Sequence, residues 1–314
     1  ELNFILQEGE GLKVEFKESF DPKSMAKELV AFANASGGRI FLGVNDRGEI
    51  IGISGNNKLK SQIQDLANNC EPKIKIIIGG FTFQGKELII ISVSPGDNKP
   101  YLCSAGFYMR QGPNSQKLSR DEILSFSIKE GKIGFDGQIN SSFIFEKDFD
   151  EKKLDQYLQL AGLTKNLPVA DILLNLAVAQ KIDGALKLNN AGVLFFSKNP
   201  GRFFQSSKVI AVNYQTNAKV NVLDRKFFDN GIVSNIQEAI NYVSRHINVM
   251  FEIKSLRRKE ILQYPPEVYR EAIVNALMHR DYFDKSGDIL VEIFRNKIII
   301  SNPGGLVPWL KKED

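Results

Sequence analysis

The fold of the first third of the chain is decided by residues 21–53, which read DPKSMAKELVAFANASGGRIFLGVNDRGEIIGI. Asp21-Pro22 is typical of a helix N-cap and first helical position, and Gly37-Gly38 is typical of a helix stop. The apolar residues between them recur at helical spacing. The pattern then predicts a buried strand over Arg39–Val44, and a turn that reverses the chain into Glu49–Ile53. The stretch therefore predicts a helix followed by a β-hairpin.

The sequence on the C-terminal side extends this unit into an α+β domain. A helix is predicted over Lys58–Asn68, and strands are predicted over Lys73–Ile78 and Leu88–Val93. The pattern Ser119-x-x-Glu122 is a capping box that opens another helix. We expect this domain to span residues 1–130.

Two further regions are expected, because 314 residues suffice for two or three domains. Residues 131–200 are predicted to be a linker and a connecting helical region, with helices over Glu151–Leu160 and Val169–Gln180 and a strand over Ala191–Phe196. Residues 201–314 combine strands with a long amphipathic helix and a helix that starts at Pro265-Pro266. The expected fold class is α+β, with a mixed middle region and a C-terminal α/β sandwich.

The composition is that of a globular protein, with 43% hydrophobic and 25% charged residues and a net charge of +4. The two cysteines, Cys70 and Cys103, are too few for a disulfide-stapled secreted framework, so we expect two reduced packing residues. The sequence has no apolar run of the roughly 20 residues that a membrane span needs, and residues 1–10 do not form a signal peptide. A cytoplasmic protein without a membrane partner is therefore expected.

One predicted helix, Arg270–Tyr282, carries a polar face in the last third of the chain. A spacing of four residues places Glu271, Asn275 and His279 on one side of this helix. Ile273 and Leu277 fall on the opposite side, which is expected to be buried.

This face and the sequence after it resemble the Bergerat-fold (GHKL) ATPases, the superfamily of gyrase and the histidine kinases. The resemblance implies ATP and magnesium as cofactors, with Asn275 holding the magnesium and Glu271 acting as general base for water. It also implies nucleotide contacts from His279, Asn302, Gly304 and Gly305. The lid and the second glycine-rich loop of that family are not found before Asp314, so the domain is expected to be truncated in this chain.

The N-terminal motifs resemble the Schlafen AlbA-like domain over roughly residues 5–128. The motifs occur in order as Glu10–Ser19, Ala31–Gly38, Phe41–Asp46, Ile51-Gly52 and Tyr108-x-Arg110-x-Gly112. Together with the C-terminal match, the chain is similar to bacterial and archaeal proteins described as transcriptional regulators or as relatives of ATP-dependent DNA helicases. The resemblance implies a nucleic-acid partner, with DNA favoured, and a homo-oligomer, expected to be a dimer. The cations expected to neutralise phosphates are Lys13, Lys17, Arg39, Arg47 and Arg110.

Two alternatives to a DNA-binding, ATP-binding regulator stay open at this point. Nucleolytic Schlafens carry three acidic residues, and Glu10, Glu15 and Asp46 match that pattern, which implies a metal-dependent nuclease. The other interpretation of the same three residues is two ordinary strand-edge acids and a turn former. The second alternative is a C-terminal region that has become a dimerisation module and binds no nucleotide.

Overall fold

The computed structural model describes residues 2–247, 249–254 and 257–305, and for residues 2, 3, 249–254 and 257–262 it describes the backbone only. The chain forms two compact units, Glu1–Ile133 and Gly134–Asp314. Both units mix helices with small sheets, so the expected α+β class is confirmed. Within the described residues, no helix is both long enough and apolar enough to span a bilayer.

The first unit is built on a mixed four-stranded sheet. Its strands are β1 (Val14–Lys17), β2 (Gly38–Leu42), β3 (Ile76–Phe83) and β4 (Lys86–Val93). They lie in the order β1-β2-β4-β3, with β1 parallel to β2 and the other two pairings antiparallel. The first unit also contains helices α1 (Leu2–Glu8), α2 (Pro22–Asn34), α3 (Asn57–Asn68) and α4 (Arg120–Lys129), and a hairpin of β5 (Tyr108–Gln111) and β6 (Asn114–Lys117).

Two apolar clusters cover the two faces of this sheet. The larger one packs α2 and α3 against residues such as Ile40 and Ile91. The smaller one contains Phe16, Phe41 and Leu88, with residues of α1 packed against them. Alternate residues of each strand therefore face different clusters, as the pleat of a β-strand requires.

The second unit contains a connecting part and a two-layer α/β part. The connecting part comprises α5 (Phe145–Asp148), α6 (Glu151–Leu160), α7 (Val169–Asn175), β7 (Ala179–Ile182), β8 (Ala185–Leu188) and α8 (Asn190–Phe196). The α/β part comprises β9 (Val209–Tyr214), β10 (Val222–Phe228), α9 (Ile232–His246), β11 (Val249–Lys254), β12 (Arg257–Leu262), α10 (Pro266–Met278), β13 (Ile289–Ile293) and β14 (Ile298–Ser301). Its main sheet has the order β10-β9-β13-β14, and α9 and α10 share one apolar core with it. The linker and connecting region was predicted over residues 131–200, and residues 134–200 of it belong to the same compact unit as the sheet that follows.

Several local predictions are confirmed. Asp21 accepts a hydrogen bond from the Ser24 amide at 2.7 Å and caps α2. Ser119 and Glu122 form the capping box of α4. Cys70 and Cys103 are both buried and free, and burial raises the pKa of the Cys70 thiol to about 12.

The predicted hairpin after α2 is wrong in its second strand. The turn exists, because Asn45 Oδ1 accepts from the amides of Arg47 and Glu49. Beyond it, however, only an isolated bridge joins Val44 to Ile50, and β2 pairs with β1 and β4 instead. Strand β2 therefore pairs with two strands that are distant in sequence, and the predicted hairpin partner, Glu49–Ile53, forms no strand.

Two predictions in the connecting part are also wrong. The apolar run Ala191–Phe196 forms helix α8, because Asn189 Oδ1 accepts from the Gly192 amide at 2.9 Å and starts a helix there. The helix predicted over Val169–Gln180 ends at Asn175, since Ala177 adopts a left-handed conformation with φ of 56° and the chain enters the β7–β8 hairpin. The turn signal that would have indicated this hairpin is Asp183-Gly184.

Candidate functional site

The centre of the first unit is the buried guanidinium of Arg110. Its side chain has no exposed area, and its Nη2 donates to the carbonyls of Gly11 and Val14, each at 2.9 Å. Its Nη1 donates to Glu28 Oε2 at 3.1 Å and to Ser115 Oγ at 3.2 Å. The planar fork of arginine suits this use, because its five donors point in fixed directions. Arg110 therefore ties β1 to α2 and β6.

Two carboxylates and a second cation complete this cluster. Glu15 Oε2 lies 2.6 Å from Arg110 Nη2, but this contact is ionic and not a hydrogen bond, because Nη2 already donates to two carbonyls. The Lys17 ammonium pairs with the other oxygen of Glu15. Burial raises the pKa of the Glu28 carboxyl, while the hydrogen bond from Ser115 opposes this shift. The cluster thus holds two cations against two buried carboxylates.

This geometry corrects the expectation for Arg110. It was predicted to neutralise phosphates, yet its guanidinium is enclosed by the protein and its donors are used internally. Arg110 shares a strand face with the buried Tyr108, but the burial of that face became known only from the structure. Lys17 is half-buried, and its ammonium charge is compensated by the carboxylate of Glu15.

The acidic trio does not form a metal site in the described part of the chain. Glu10 Oε1 accepts from the Phe16 amide at 2.9 Å, and Asp46 lies exposed in the turn after β2. Burial raises the pKa of the Glu10 carboxyl, and the nearby carboxylates of Glu15 and Asp46 add to this rise. Among the described residues, no three acidic, histidine or cysteine side chains are arranged to hold a metal ion. The charge of Glu15 is balanced by protein cations instead.

The remaining predicted cations lie on the surface of the first unit. Lys13, Arg39 and Arg47 are all exposed. The backbones of the first two are joined, because the Arg39 amide donates to the Lys13 carbonyl at 2.8 Å where β1 and β2 begin. Arg47 lies in the turn that follows β2, beyond the other end of this strand pair. The exposed cations therefore flank the β1–β2 pair at both ends.

The C-terminal polar face forms as predicted in its first two residues. Asn275 Nδ2 donates to Glu271 Oε1 at 3.1 Å, and both side chains are exposed. Ile273 and Leu277 are buried on the opposite side. The helix, however, spans Pro266–Met278 and not Arg270–Tyr282, so His279 is its C-cap and not a helical residue.

The glycine-containing turn after β14 packs against the end of this helix. Asn302 Nδ2 donates to the His279 carbonyl at 3.4 Å, and the Asp281 amide donates to the Pro303 carbonyl at 2.9 Å. Gly304 has a φ of 137°, and a Cβ there would lie 3.2 Å from the Asp281 amide and the His279 carbonyl. Only glycine therefore allows the turn to approach the helix so closely. Gly305 is exposed. The prediction that the domain is truncated before a lid and a second glycine-rich loop concerns residues 306–314, which lie outside the described residues.

One residue of this region was missed by the sequence reasoning. Arg280 is buried, and its guanidinium donates to the carbonyls of Asp281, Asp284 and Gly287 at 2.7–2.9 Å. It also stacks over the Tyr282 ring at 5.1 Å. Arg280 thereby fixes the loop 281–287 that follows α10. Its position gave no sign of burial, because the helix ends at Met278, two residues before Arg280.

The first unit matches the model of a known protein family. Residues 10–119 match the family model described as Schlafen, AlbA_2, which confirms the resemblance predicted for this unit. An uncharacterized ATP-binding protein, UU034 of Ureaplasma parvum serovar 3, is 35% identical over 94 residues, covering 27% of this chain and 26% of that protein. The chain thus matches about a quarter of the length of this curated relative. The Bergerat-fold resemblance of the C-terminal region stays a prediction.

Two solved structures match this chain, one over nearly its whole length and one over a part of it. The DIP2311 protein from Corynebacterium diphtheriae is 18% identical, with a TM-score of 0.46, covering 96% of this chain and 63% of that one. The N-terminal domain of an ATP-dependent DNA helicase RecG-related protein from Nitrosomonas europaea is 26% identical, with a TM-score of 0.28, covering 38% of this chain and 90% of that one.

Proposed function

We propose that this protein is a nucleic-acid-binding regulator, acting on DNA, whose C-terminal unit binds ATP with magnesium. The observation that carries the proposal is the pair of exposed cations, Lys13 and Arg39, joined through their backbones at the start of the β1–β2 pair. The match of residues 10–119 to the Schlafen AlbA_2 family supports the same conclusion. ATP binding is supported by the name of the Ureaplasma relative and by the polar face of α10.

The expected contacts go to the phosphate backbone of DNA. Lysine and arginine on a surface bind phosphates through charge and release condensed counterions, which makes the affinity salt-dependent. Phosphate contacts position a protein on a duplex but do not read the bases. Lys13, Arg39 and Arg47 thus favour binding with little sequence preference. The buried Arg110 contributes indirectly, because it holds the carbonyls of Gly11 and Val14, which lie on either side of Lys13 in the sequence.

Removing both charges tests this interface. In the double variant Lys13→Gln/Arg39→Gln, the slope of log affinity against log salt is expected to fall by about 2, since each lost phosphate contact removes about 0.9. The measurement is fluorescence anisotropy with labelled duplex DNA over a salt series. The matched control is Lys73→Gln/Arg120→Gln, which removes two exposed charges elsewhere on the same unit. Equal slopes for the wild type and the Lys13/Arg39 variant would refute the interface.

The α10 face fits a nucleotide-bound magnesium ion. The hydrogen bond from Asn275 Nδ2 to Glu271 leaves the Asn275 carbonyl oxygen directed away from the carboxylate. A carbonyl oxygen is a ligand that a hard cation such as magnesium takes. When bound, the ion would neutralise the charge of the phosphates. Asn275 would hold it, Glu271 would accept a proton from water, and the Asn302–Gly305 turn would contact the nucleotide beside His279.

Calorimetry with ATP and magnesium tests the second unit. Asn275→Ala is expected to abolish the heat of binding, because it removes the oxygen that holds the cation. Asn241→Ala is the control, since Asn241 is an exposed helical asparagine of α9 that also bonds a side chain four residues away. If the wild type binds no ATP and sedimentation equilibrium shows a dimer, the C-terminal unit is a dimerisation module and the ATP proposal fails.

A further inference from the structure

The second unit contains a cavity of about 680 Å³ that is separate from the polar face of α10. It is lined by three segments of the chain, which contain residues 135–138, 202–208 and 282–288. Neither Glu271, Asn275 nor the Asn302–Gly305 turn lines it. Its volume lies within the roughly 300–1,000 Å³ of ordinary ligand pockets. The cavity is large enough for a ligand of the size of a nucleotide.

One wall of this cavity is aromatic. The Phe135 ring stacks on Tyr282 with centroids 5.3 Å apart, and it meets Phe204 and Phe283 edge-on at 5.2 and 5.4 Å. Phe283 and Tyr282 are only partly buried, so their rings contribute accessible surface to the cavity. Aromatic faces of this kind bind planar rings by stacking, and every nucleobase offers such a ring.

The cavity also carries an excess of positive charge. Its lining contains three cations, Arg202, Lys208 and Lys285, and one carboxylate, Asp288. Arg202 pairs with the buried Asp148 at 2.9 Å, and Lys208 lies 3.5 Å from Asp288. Lys285 is exposed and has no acidic partner within the described ranges. Its ammonium is therefore available to an anion.

The loop that presents Lys285 and Phe283 is fixed by hydrogen bonds from Arg280 to its backbone. Arg280 donates to the carbonyls of Asp284 and Gly287, which flank Lys285. A Cβ on Gly287 would lie 3.0 Å from the Pro303 side chain, so the loop also packs on the turn after β14. A wall fixed by such contacts is largely formed before a ligand arrives, which lowers the entropic cost of binding.

We infer that this cavity binds one nucleoside monophosphate unit, either as a free nucleotide or as part of a single-stranded nucleic acid. The base would stack on the partly exposed ring of Phe283, because the Tyr282 ring already stacks on Phe135 and lies under the Arg280 guanidinium. The phosphate would contact Lys285. Gln138, Gln205 and Ser286 line the same cavity and supply hydrogen-bonding groups for the base and sugar. This site is distinct from the ATP site proposed on α10 and from the DNA surface proposed on the first unit.

The test is binding of AMP, measured by calorimetry on the whole protein. Lys285→Glu and Phe283→Ala are each expected to weaken AMP binding by about tenfold, because they remove the phosphate partner and a stacking face. Phe283→Leu keeps an apolar side chain in the loop and should still weaken binding if stacking is the cause. Lys181→Glu is the control, since Lys181 is an exposed lysine of the same unit that does not line the cavity.

Further binding measurements distinguish this cavity from the ATP site and the DNA surface of the proposed function. Asn275→Ala and Lys13→Gln/Arg39→Gln should leave AMP binding unchanged. A labelled single strand is then titrated in the Lys13→Gln/Arg39→Gln background. Loss of both AMP and strand binding in Lys285→Glu supports a site open to a strand, and loss of AMP alone supports a free nucleotide. The inference is overturned if the wild type binds neither probe, or if Lys285→Glu and Phe283→Leu bind both as the wild type does.

Discussion

Replacing Arg110 with alanine is expected to lower the free energy of unfolding of the first unit by about 3–5 kcal/mol. The reason is that the buried Glu28 would lose the cation that compensates its charge, and the buried Glu15 would keep only the half-buried Lys17 as its partner among the described residues. The carbonyls of Gly11 and Val14 would also lose their donor, and the Phe32 ring would lose the guanidinium that lies 4.9 Å above it. Native-state hydrogen exchange of the β1 and α2 amides measures this loss within the first unit.

Two companion variants show whether charge is the cause. Arg120→Ala removes an exposed arginine that pairs with Asp121, and it should change stability by no more than about 0.5 kcal/mol. Adding Glu28→Gln to Arg110→Ala removes one stranded carboxylate, so the double variant should be more stable than Arg110→Ala alone. A loss below about 1 kcal/mol in Arg110→Ala, or no gain from Glu28→Gln, would contradict a compensated buried cluster.

Gly37→Ala is expected to destabilise the first unit by about 2–4 kcal/mol, which combines backbone strain with a steric clash. Gly37 has a φ of 71°, which an L side chain adopts at a cost. A Cβ there would lie 2.6 Å from the Val93 carbonyl oxygen and 2.9 Å from the Pro95 nitrogen. Both are backbone atoms of the segment where β4 ends, so they cannot move aside without disturbing its pairing with β2.

The variant Gly85→Ala distinguishes the cost of backbone strain from the cost of the steric clash. Gly85 lies in the β3–β4 turn with a φ of 75°, and a Cβ there would meet nothing within 4 Å. It should cost only the strain of the left-handed conformation, about 1 kcal/mol. Urea titrations of both variants, followed by circular dichroism, give the comparison. Similar losses in both would mean that the close approach of Gly37 to Val93 adds nothing.

The parts of the fold that follow from nearby residues were predictable. Helix α6 has the bounds expected from its pattern, Glu151–Leu160, and α10 begins at the double proline. The amphipathic stripe of α9 is buried against the sheet of the second unit. Within the site, the pairing of Glu271 with Asn275 follows from helical spacing alone.

The short apolar segments were not predictable in the same way. A run of six or seven apolar residues is compatible with a buried strand and with a buried helix. The run that forms α8 starts a helix at Asn189, whose side chain accepts from the Gly192 amide. A Cβ on Gly192 would lie 2.6 Å from the Val178 carbonyl oxygen, so the start of α8 packs closely on the residue that precedes β7. The sequence pattern did not reveal this packing.

By itself, the sequence determined the caps, the turns and the helical faces, and its motifs indicated the resemblance to the Schlafen AlbA_2 family that residues 10–119 match. These features depend on residues within one or two helical turns of each other. Only the tertiary structure decided that Arg110 is an internal tie and not a surface cation, because its partners Gly11 and Glu28 lie 99 and 82 residues away. The cavity beside Lys285 likewise joins segments that lie far apart in the chain. Burial and charge compensation arise from such distant contacts, and a local pattern carries no record of them.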